Sequence, residues 1–376
     1  MRSTLVVLTA AGLAIGAAAP RPLAQAQAGT VLVRAIRPPA TPLPPEAESA
    51  NVTKFSFFAY GDTRGAADGQ AVQPEHGAVV TEMLKAIPTE KQAGFPVRFV
   101  IQSGDAVVNG RDGRQWNVSY IPVVERLTQE AGLPYFFAVG NHDMGTRPVG
   151  DPDREARRKN VEDSNALLWP TDPSRKLAGY PAFSFGFGQT FFIAFDSNIP
   201  DDPVQLKWVS DQLERLDRAR FPIVVVFFHH PPLTTGPHGG PAVERESASI
   251  RKNYMPLFRK HHVRMTITGH DHLYDHYIEH YDDSTGTHRM DQIVAGGGGA
   301  PIYTYRGEQD LDAYAAAAAP QRVSVMHAAR PSTVEAENPH HFLIFEVDGD
   351  RIWEKWVATS AAPFMPFGKP RIELTD

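Results

Sequence analysis

Tyr135-Phe136-Phe137-Ala138-Val139-Gly140-Asn141-His142-Asp143 decides the fold: an apolar, strand-prone run stops at a glycine, and metal-competent side chains follow at once. The same construction recurs along the chain. Phe55–Tyr60 runs into Gly61-Asp62, Val97–Ser103 into Gly104-Asp105, Ile223–Phe228 into His229, and Val263–Thr268 into Gly269-His270-Asp271-His272. In an open α/β sheet, ligands gather beyond the carboxyl ends of the strands, so these runs would bring Asp62, Asp105, Asn141, His142, His229, His270 and His272 to one crevice. Taken singly each is ordinary: Gly-Asp dipeptides make turns, Asn141-His142 fits a capped loop, and His270 with His272 fits a surface pair on an edge strand. Their shared position at strand ends argues for a dispersed metal site.

Between these runs the pattern turns helical. Val79, Val80, Met83, Leu84 and Ile87 fall at helical spacing, as does Leu206 to Leu216, so strands and helices alternate in α/β layers. Later segments read as antiparallel hairpins: Phe183–Phe187 with Thr190–Asp196 across Gly188-Gln189, and Phe342–Val347 with Arg351–Val357 across Asp348-Gly349-Asp350. The expectation is a mixed sheet pair. Polar insertions at 144–181, 233–250 and roughly 306–340 border the motifs and are candidate walls of a substrate cleft, with a short helix over Ala313–Ala319. Gly296–Gly299 lacks the Lys-Ser/Thr of a phosphate-cradling P-loop, and reads instead as backbone passing close to the site, with Tyr303 or Tyr305 lining it.

The chain has 376 residues, 42% of them hydrophobic, and a net charge of -6 without any Lys/Arg-rich run. That balance gives no electrostatic reason for a nucleic-acid surface. Arg2, the apolar stretch Leu5–Ala19 and Ala26-Gln27-Ala28 read as a secretory signal with cleavage after Ala28. The apolar run is shorter than the roughly 20 residues of a spanning helix. With no cysteine there are neither disulfides nor a lipid-anchored Cys. The expectation is a periplasmic or secreted protein with signal 1–28, a Pro-rich extended leader 29–50 and one domain over 51–376.

A two-metal site that cleaves a phosphoester needs a carboxylate shared between ions roughly 3.5–4 Å apart, with flanking ligands that leave positions open. Asp105 suits the shared role, Asp62 and the histidines would flank it, and Asn141 would add an amide oxygen. Oxygen and imidazole donors without thiolate favour Fe, Mn or Zn.

In the order Gly61-Asp62-Thr63-Arg64, Gly104-Asp105, Gly140-Asn141-His142-Asp143, His229-His230-Pro231 and Gly269-His270-Asp271-His272, the chain resembles the calcineurin-like metallophosphoesterases from about Phe55 to Ala300. The resemblance implies a four-layer α-β-β-α sandwich of two mixed β-sheets flanked by helices. It implies one ion held by Asp62, Asp105 and His272 and another by Asp105, Asn141, His229 and His270. The family's His-x-Pro pattern puts His229 on the metal, and strand alternation turns His230 away, as a group behind the ligands. The purple acid phosphatases resemble the chain in lacking a first-motif His and in Gly-His-x-His-x-Tyr, here ending at Tyr274. Where their tyrosine ligand stands, this chain has Val108.

Arg64 stands where the family usually has a His ligand, and a guanidinium has no lone pair to offer. Either the first ion has a reduced shell or His76, at the start of the helix ending near Ile87, fills it; a surface His at a helix start is the alternative. Arg64 itself suits a substrate phosphate, since its planar fork pairs with two oxygens. In the hydrolysis so implied, an activated hydroxide attacks phosphorus, His142 serves the leaving oxygen, and Asp143 orients His142 or a neighbouring ligand. The substrate would be a small phosphomonoester or phosphodiester. The rival reading is a metal-binding or scaffold protein with a degenerate site, supported by Arg64.

Overall fold

Two sheets meet face to face through phenylalanine. In this computed structural model, which describes residues 31–65, 72–239, 243–308, 311–318 and 321–374, β1 (Lys54–Tyr60) buries every residue after Lys54 because it is covered on both faces. It pairs parallel with β2 (Val97–Gln102), which pairs parallel with β3 (Tyr135–Phe137). The second sheet begins with the hairpin of β4 (Phe183–Phe187) and β5 (Thr190–Ala194), turned at Gly188 with φ 55°. It continues in parallel through β6 (Ile223–Phe227) and β7 (Met265–Thr268).

A long hairpin then closes that sheet: β8 (Tyr274–Asp283) pairs antiparallel with β9 (Gly286–Ala295), and β9 lies parallel to β7. With β10 (Ser324–Ala329), β11 (His341–Asp348), β12 (Arg351–Ala358) and β13 (Arg371–Glu373) the orders become β13-β12-β11-β1-β2-β3 and β10-β8-β9-β7-β6-β5-β4. Phe57, Phe99, Phe185, Phe192 and Phe345 interlock between the sheets; the Phe57 and Phe99 rings stack at 5.4 Å, and Phe99 meets Phe192 edge-on at 5.1 Å.

Helices cover both outer faces. α1 (Pro74–Gln92) opens on Pro74 and Glu75 and turns Val79, Val80 and Met83 onto the first sheet. α2 (Ile121–Glu125), inside a helical run over 115–130, lies beside it, followed by α3 (Asn141–Met144) and α4 (Pro152–Asn165). Over the second sheet lie α5 (Pro203–Glu214), capped by Asp202 onto the N–H groups of Val204 and Gln205, α6 (Arg245–Asn253) and α7 (Met255–Lys260). The expected four-layer α-β-β-α architecture is the observed one. α8 (Leu311–Ala318) occupies the Ala-rich stretch, whose last residue, Ala319, lies outside the described residues.

Within the same compact unit, the Pro-rich segment from Leu32 onward packs on the domain: Val33 and Ile36 are buried, Arg34 pairs with Glu125, and the Arg220 side chain donates to the Glu46 carbonyl. The expected signal 1–28 lies outside the described residues. No helix among the described residues is long and apolar enough to cross a membrane.

One buried charge ties the sheets together. His276 on β8 contacts Asp291 of β9 at 2.7 Å and Glu354 of β12, in the other sheet, at 3.1 Å, with Tyr274 donating to Glu354 and Arg289 to Asp291. Burial works against its charge, but Glu354 and Asp291 together raise His276 to about 9. A histidine raised in the folded state contributes fully below its unfolded value, about 6.5, and loses that contribution as pH rises through about 9. Melting temperature is therefore expected to fall between pH 7 and 9.5, by on the order of 3 kcal/mol in stability, and to fall much less in His276→Gln. Parallel melting curves for both proteins over that range would remove His276 from the account.

Candidate metal centre

Three strand ends are held in a backbone conformation that side chains rarely adopt. Asp62, Asp105 and His270 have φ of 58°, 56° and 72°, each costing on the order of 1–3 kcal/mol. Hydrogen bonds hold all three turns: Asp62 N–H donates to Gly104 O at 2.9 Å, His270 N–H to the Asp62 carboxylate at 2.9 Å, and Asp105 N–H to Asp143 Oδ2 at 2.8 Å. Gly61, Gly104, Gly140 and Gly269 sit beside them because a Cβ would strike a neighbour; at Gly140 it would stand 2.1 Å from Asp105 Oδ1. The Gly296–Gly299 segment passes as expected, Gly298 N–H donating to Gly61 O at 2.8 Å.

The crevice gathers Asp62, Asp105, Asn141, His229, His270 and His272. Each imidazole directs one N–H to the far side. His229 Nδ1 bonds Ser103 O at 3.0 Å, His272 Nδ1 bonds Pro301 O at 2.7 Å, and His270 Nε2 bonds the Glu244 carboxylate at 2.7 Å. Their other nitrogens thus point lone pairs inward. Burial holds His229 down to about 3; burial and then the Arg64 guanidinium do the same for His272, so both are neutral near pH 7, the form in which an imidazole can ligate.

The result is a knot of acceptors. His229 Nε2 lies 2.9 Å from Asn141 Oδ1, 3.1 Å from His270 Nδ1 and 3.4 Å from Asp105 Oδ1. With the far-side N–H groups engaged elsewhere and oxygens as the other partners, these four atoms face one another as acceptors, and a cation among them would satisfy all. Beside it, Asp62, Asp105 and His272 offer ligand atoms within 4.8 Å of one another, His272 Nε2 standing 3.6 Å from Asp62 Oδ1. Burial, then Asp105, push Asp62 well above the usual carboxylate range, while Arg64 acts the other way.

Arg64 lies inside this second group. Its Nε is 3.5 Å from Asp105 Oδ2 and its terminal nitrogen 3.5 Å from His272 Nε2. His76 is elsewhere: Nε2 meets the Tyr60 hydroxyl and Nδ1 the Gln73 side chain, both at 3.0 Å, in the packing between α1 and the first sheet. The replacement-ligand expectation for His76 is therefore corrected. The helix face it shares with Val79 and Val80 looks into the core, not the crevice.

His142 is about one-third exposed, its Nδ1 donating to Val108 O at 2.7 Å and its Nε2 4.0 Å from Asp105 Oδ2. Asp143 accepts N–H groups from Asp105, Ala106, Val107 and Gly140, so the candidate ligand whose loop it holds is Asp105. His230 bonds Ser197 through Nδ1 and lies 4.4 Å from the His270 ring, behind the ligands. Tyr303 stacks on His272 at 4.2 Å.

Glu244 was not foreseen. It reaches in from the 233–250 insertion, bonding His270 and, at 2.7 Å, His238, whose ring lies tilted 4.1 Å from that of His270. The signal available was slight: an acid and a histidine six residues apart in a polar segment after a ligand-bearing strand. Glu244→Ala is expected to weaken ion affinity about 10–100-fold by freeing the His270 tautomer, with Glu244→Gln intermediate. Unchanged affinity by calorimetric titration of both variants would dismiss that role.

A family model described as calcineurin-like phosphoesterase matches residues 76–274, more than half of the chain. The chain belongs to the calcineurin-like phosphoesterases. The purple acid phosphatase PPD1 of yellow lupin (Lupinus luteus) seeds has a similar fold, with a TM-score of 0.56 at 15% identity over 89% of this chain. Only 55% of the lupin chain is covered, so this protein spans about half its length. A dimetal phosphatase of Danio rerio matches at a TM-score of 0.49 and 16% identity, over 85% of this chain and 98% of that one. GAP50, the anchor in the inner membrane complex of Plasmodium, matches at 0.49 and 16%, over 83% and 87%. No curated protein sequence matches. Calcineurin-like phosphoesterases use divalent metal ions, and in the crevice Asp62, Asp105 and His272 form a candidate group for one, with His229, Asn141 and His270 beside it.

Proposed function

We propose that the protein hydrolyses small phosphomonoesters or phosphodiesters at this centre, and that it acts after export. The observation that carries the reading is the knot of Asp105, Asn141, His229 and His270, in which both imidazoles direct an N–H outward and turn the other nitrogen inward. Bound there, a divalent ion would lower the pKa of a water and polarise the phosphoryl oxygens. Export rests on Arg2, the apolar Leu5–Ala19 and Ala26-Gln27-Ala28.

The chain's own residues supply the rest. Arg64 presents its fork from the crevice wall to the phosphoryl oxygens, and His142 stands at the open edge. As water adds to phosphorus and the bond to the leaving oxygen breaks, His142 Nε2 would pass a proton to that oxygen and be reprotonated by the one the water sheds, while Val108 O keeps Nδ1–H in place. Asp143 holds the loop beneath, and Tyr303 braces His272.

The test is hydrolysis of p-nitrophenyl phosphate and bis-p-nitrophenyl phosphate by chelator-treated protein resupplied with Mn2+, Zn2+ or Fe2+. Metal-dependent turnover is expected, with His142→Ala lowering kcat about 10²–10⁴-fold at unchanged melting temperature and ion content. No turnover on either ester with any of these ions would favour a metal-binding scaffold instead.

A further inference from the structure

We infer that Arg64 takes the place of one of the two cations, so that the centre holds a single firmly bound ion beside a fixed guanidinium. The two donor groups around Asp105 differ in one respect that decides this. Around His229 the facing atoms are acceptors toward one another, and the hydrogen that Asp105 Oδ1 does accept comes from the His142 backbone, outside the group. Around Asp62 the acceptors already face a positive charge: the Arg64 guanidinium lies 3.5 Å from both Asp105 Oδ2 and His272 Nε2. Asp105 is thus shared between a group that requires a cation and a group that has one.

Arg64 is built in, not swept in from solvent. Its backbone N–H donates to Asp105 O at 3.0 Å, and its side chain is 13% exposed, the guanidinium reaching His272 on the opposite loop. An arginine stays protonated and donates only, so it neutralises the Asp62–Asp105 pair without ligating anything. A divalent ion sharing those atoms would be repelled by that charge and would find the three protein donors of Asp62, Asp105 and His272, against four atoms facing one another around His229. Its other terminal nitrogen has, among the described residues, only the distant Gly65 O at 3.5 Å and would turn to a phosphoryl oxygen, so ion and arginine together would grip the ester.

The ion count does not depend on turnover; only the consequence for the ester rests on the proposed hydrolysis. Chelator-stripped protein is dialysed against Mn2+, the bound metal is counted by mass spectrometry, and the EPR spectrum is recorded. Wild type is expected to hold one Mn2+ per chain with the spectrum of an isolated ion. Arg64→His, which removes the charge and supplies a lone pair, is expected to hold two with an exchange-coupled spectrum. Two ions in wild type, none in wild type, or one in an Arg64→His protein that melts like wild type would each overturn the inference. The ester assay on the same samples separates the two claims. Wild type with two ions and turnover removes this inference and leaves the hydrolase, whereas one ion without turnover does the reverse.

Discussion

Asp105→Asn is expected to lower kcat/KM by about 10³-fold or more, a loss of roughly 4 kcal/mol of transition-state stabilisation, and to strip the centre of its ion at micromolar supply. The two Asp105 oxygens serve both halves of the crevice. Oδ1 faces His229 Nε2 at 3.4 Å and accepts the His142 N–H at 3.0 Å, while Oδ2 faces Arg64 and His142 Nε2. Burial works to raise this carboxyl, yet His229, His142 and Arg64 outweigh it and hold it well below the usual range. An amide of the same shape loses the charge, and whichever way it turns it aims N–H groups at a cation or at donors. Metal content and turnover should therefore fall together, with the fold intact by circular dichroism. An Asp105→Asn protein that keeps both would show that catalysis happens elsewhere.

The sequence made the fold legible where residues repeat a physical pattern. Apolar runs ending in Gly-Asp or Gly-Asn-His could only be strands buried on both faces, and the turn residues demanded by φ of 56–72° at Asp62, Asp105 and His270 stand where the runs stop. Hairpins at Gly188 and Gly349 were equally plain, both glycines lying at positive φ. What stayed hidden lacks periodicity. The outer half of the β8–β9 hairpin is rich in Asp, His and Thr, because its far end leaves the core and is solvated. α4 carries mostly charged residues, and ion pairs along its own surface, such as Arg157 with Asp153 and Lys159 with Asp163, replace an apolar stripe.

At the site, His76 misled because helical spacing tells which residues share a face but not which side of the helix that face meets. Its ring instead joins the Tyr60, Tyr120 and Tyr135 cluster, where Tyr60 bonds Tyr135 at 2.9 Å and Tyr120 stacks on the imidazole at 6.0 Å. Glu244 was invisible for the opposite reason: an insertion has no spacing rule, and only the fold brings it to His270.

Asp143 shows how a motif residue can matter for a reason other than chemistry. Its carboxylate collects the N–H groups of Asp105 at 2.8 Å, Ala106 at 2.9 Å, Val107 at 3.3 Å and Gly140 at 2.8 Å, joining the loop after β2 to the one after β3. All lie out of contact with water, so Asp143→Ala leaves several buried donors unpaired at about 1–3 kcal/mol for each that finds no substitute. Allowing for relaxation, the expected loss is about 4 kcal/mol, of order 10 °C in Tm. Activity should fall too, because the strained Asp105 turn loses its anchor, but it should fall through ion affinity first and be partly restored by excess metal. Asp143→Asn should do little better, since one end of its amide offers N–H groups to N–H groups. His142→Ala, one residue away, should show the reverse, with full stability and impaired turnover. If Asp143→Ala melted like wild type and lost only kcat at saturating metal, its carboxylate would belong to the reaction and the clamp would be incidental.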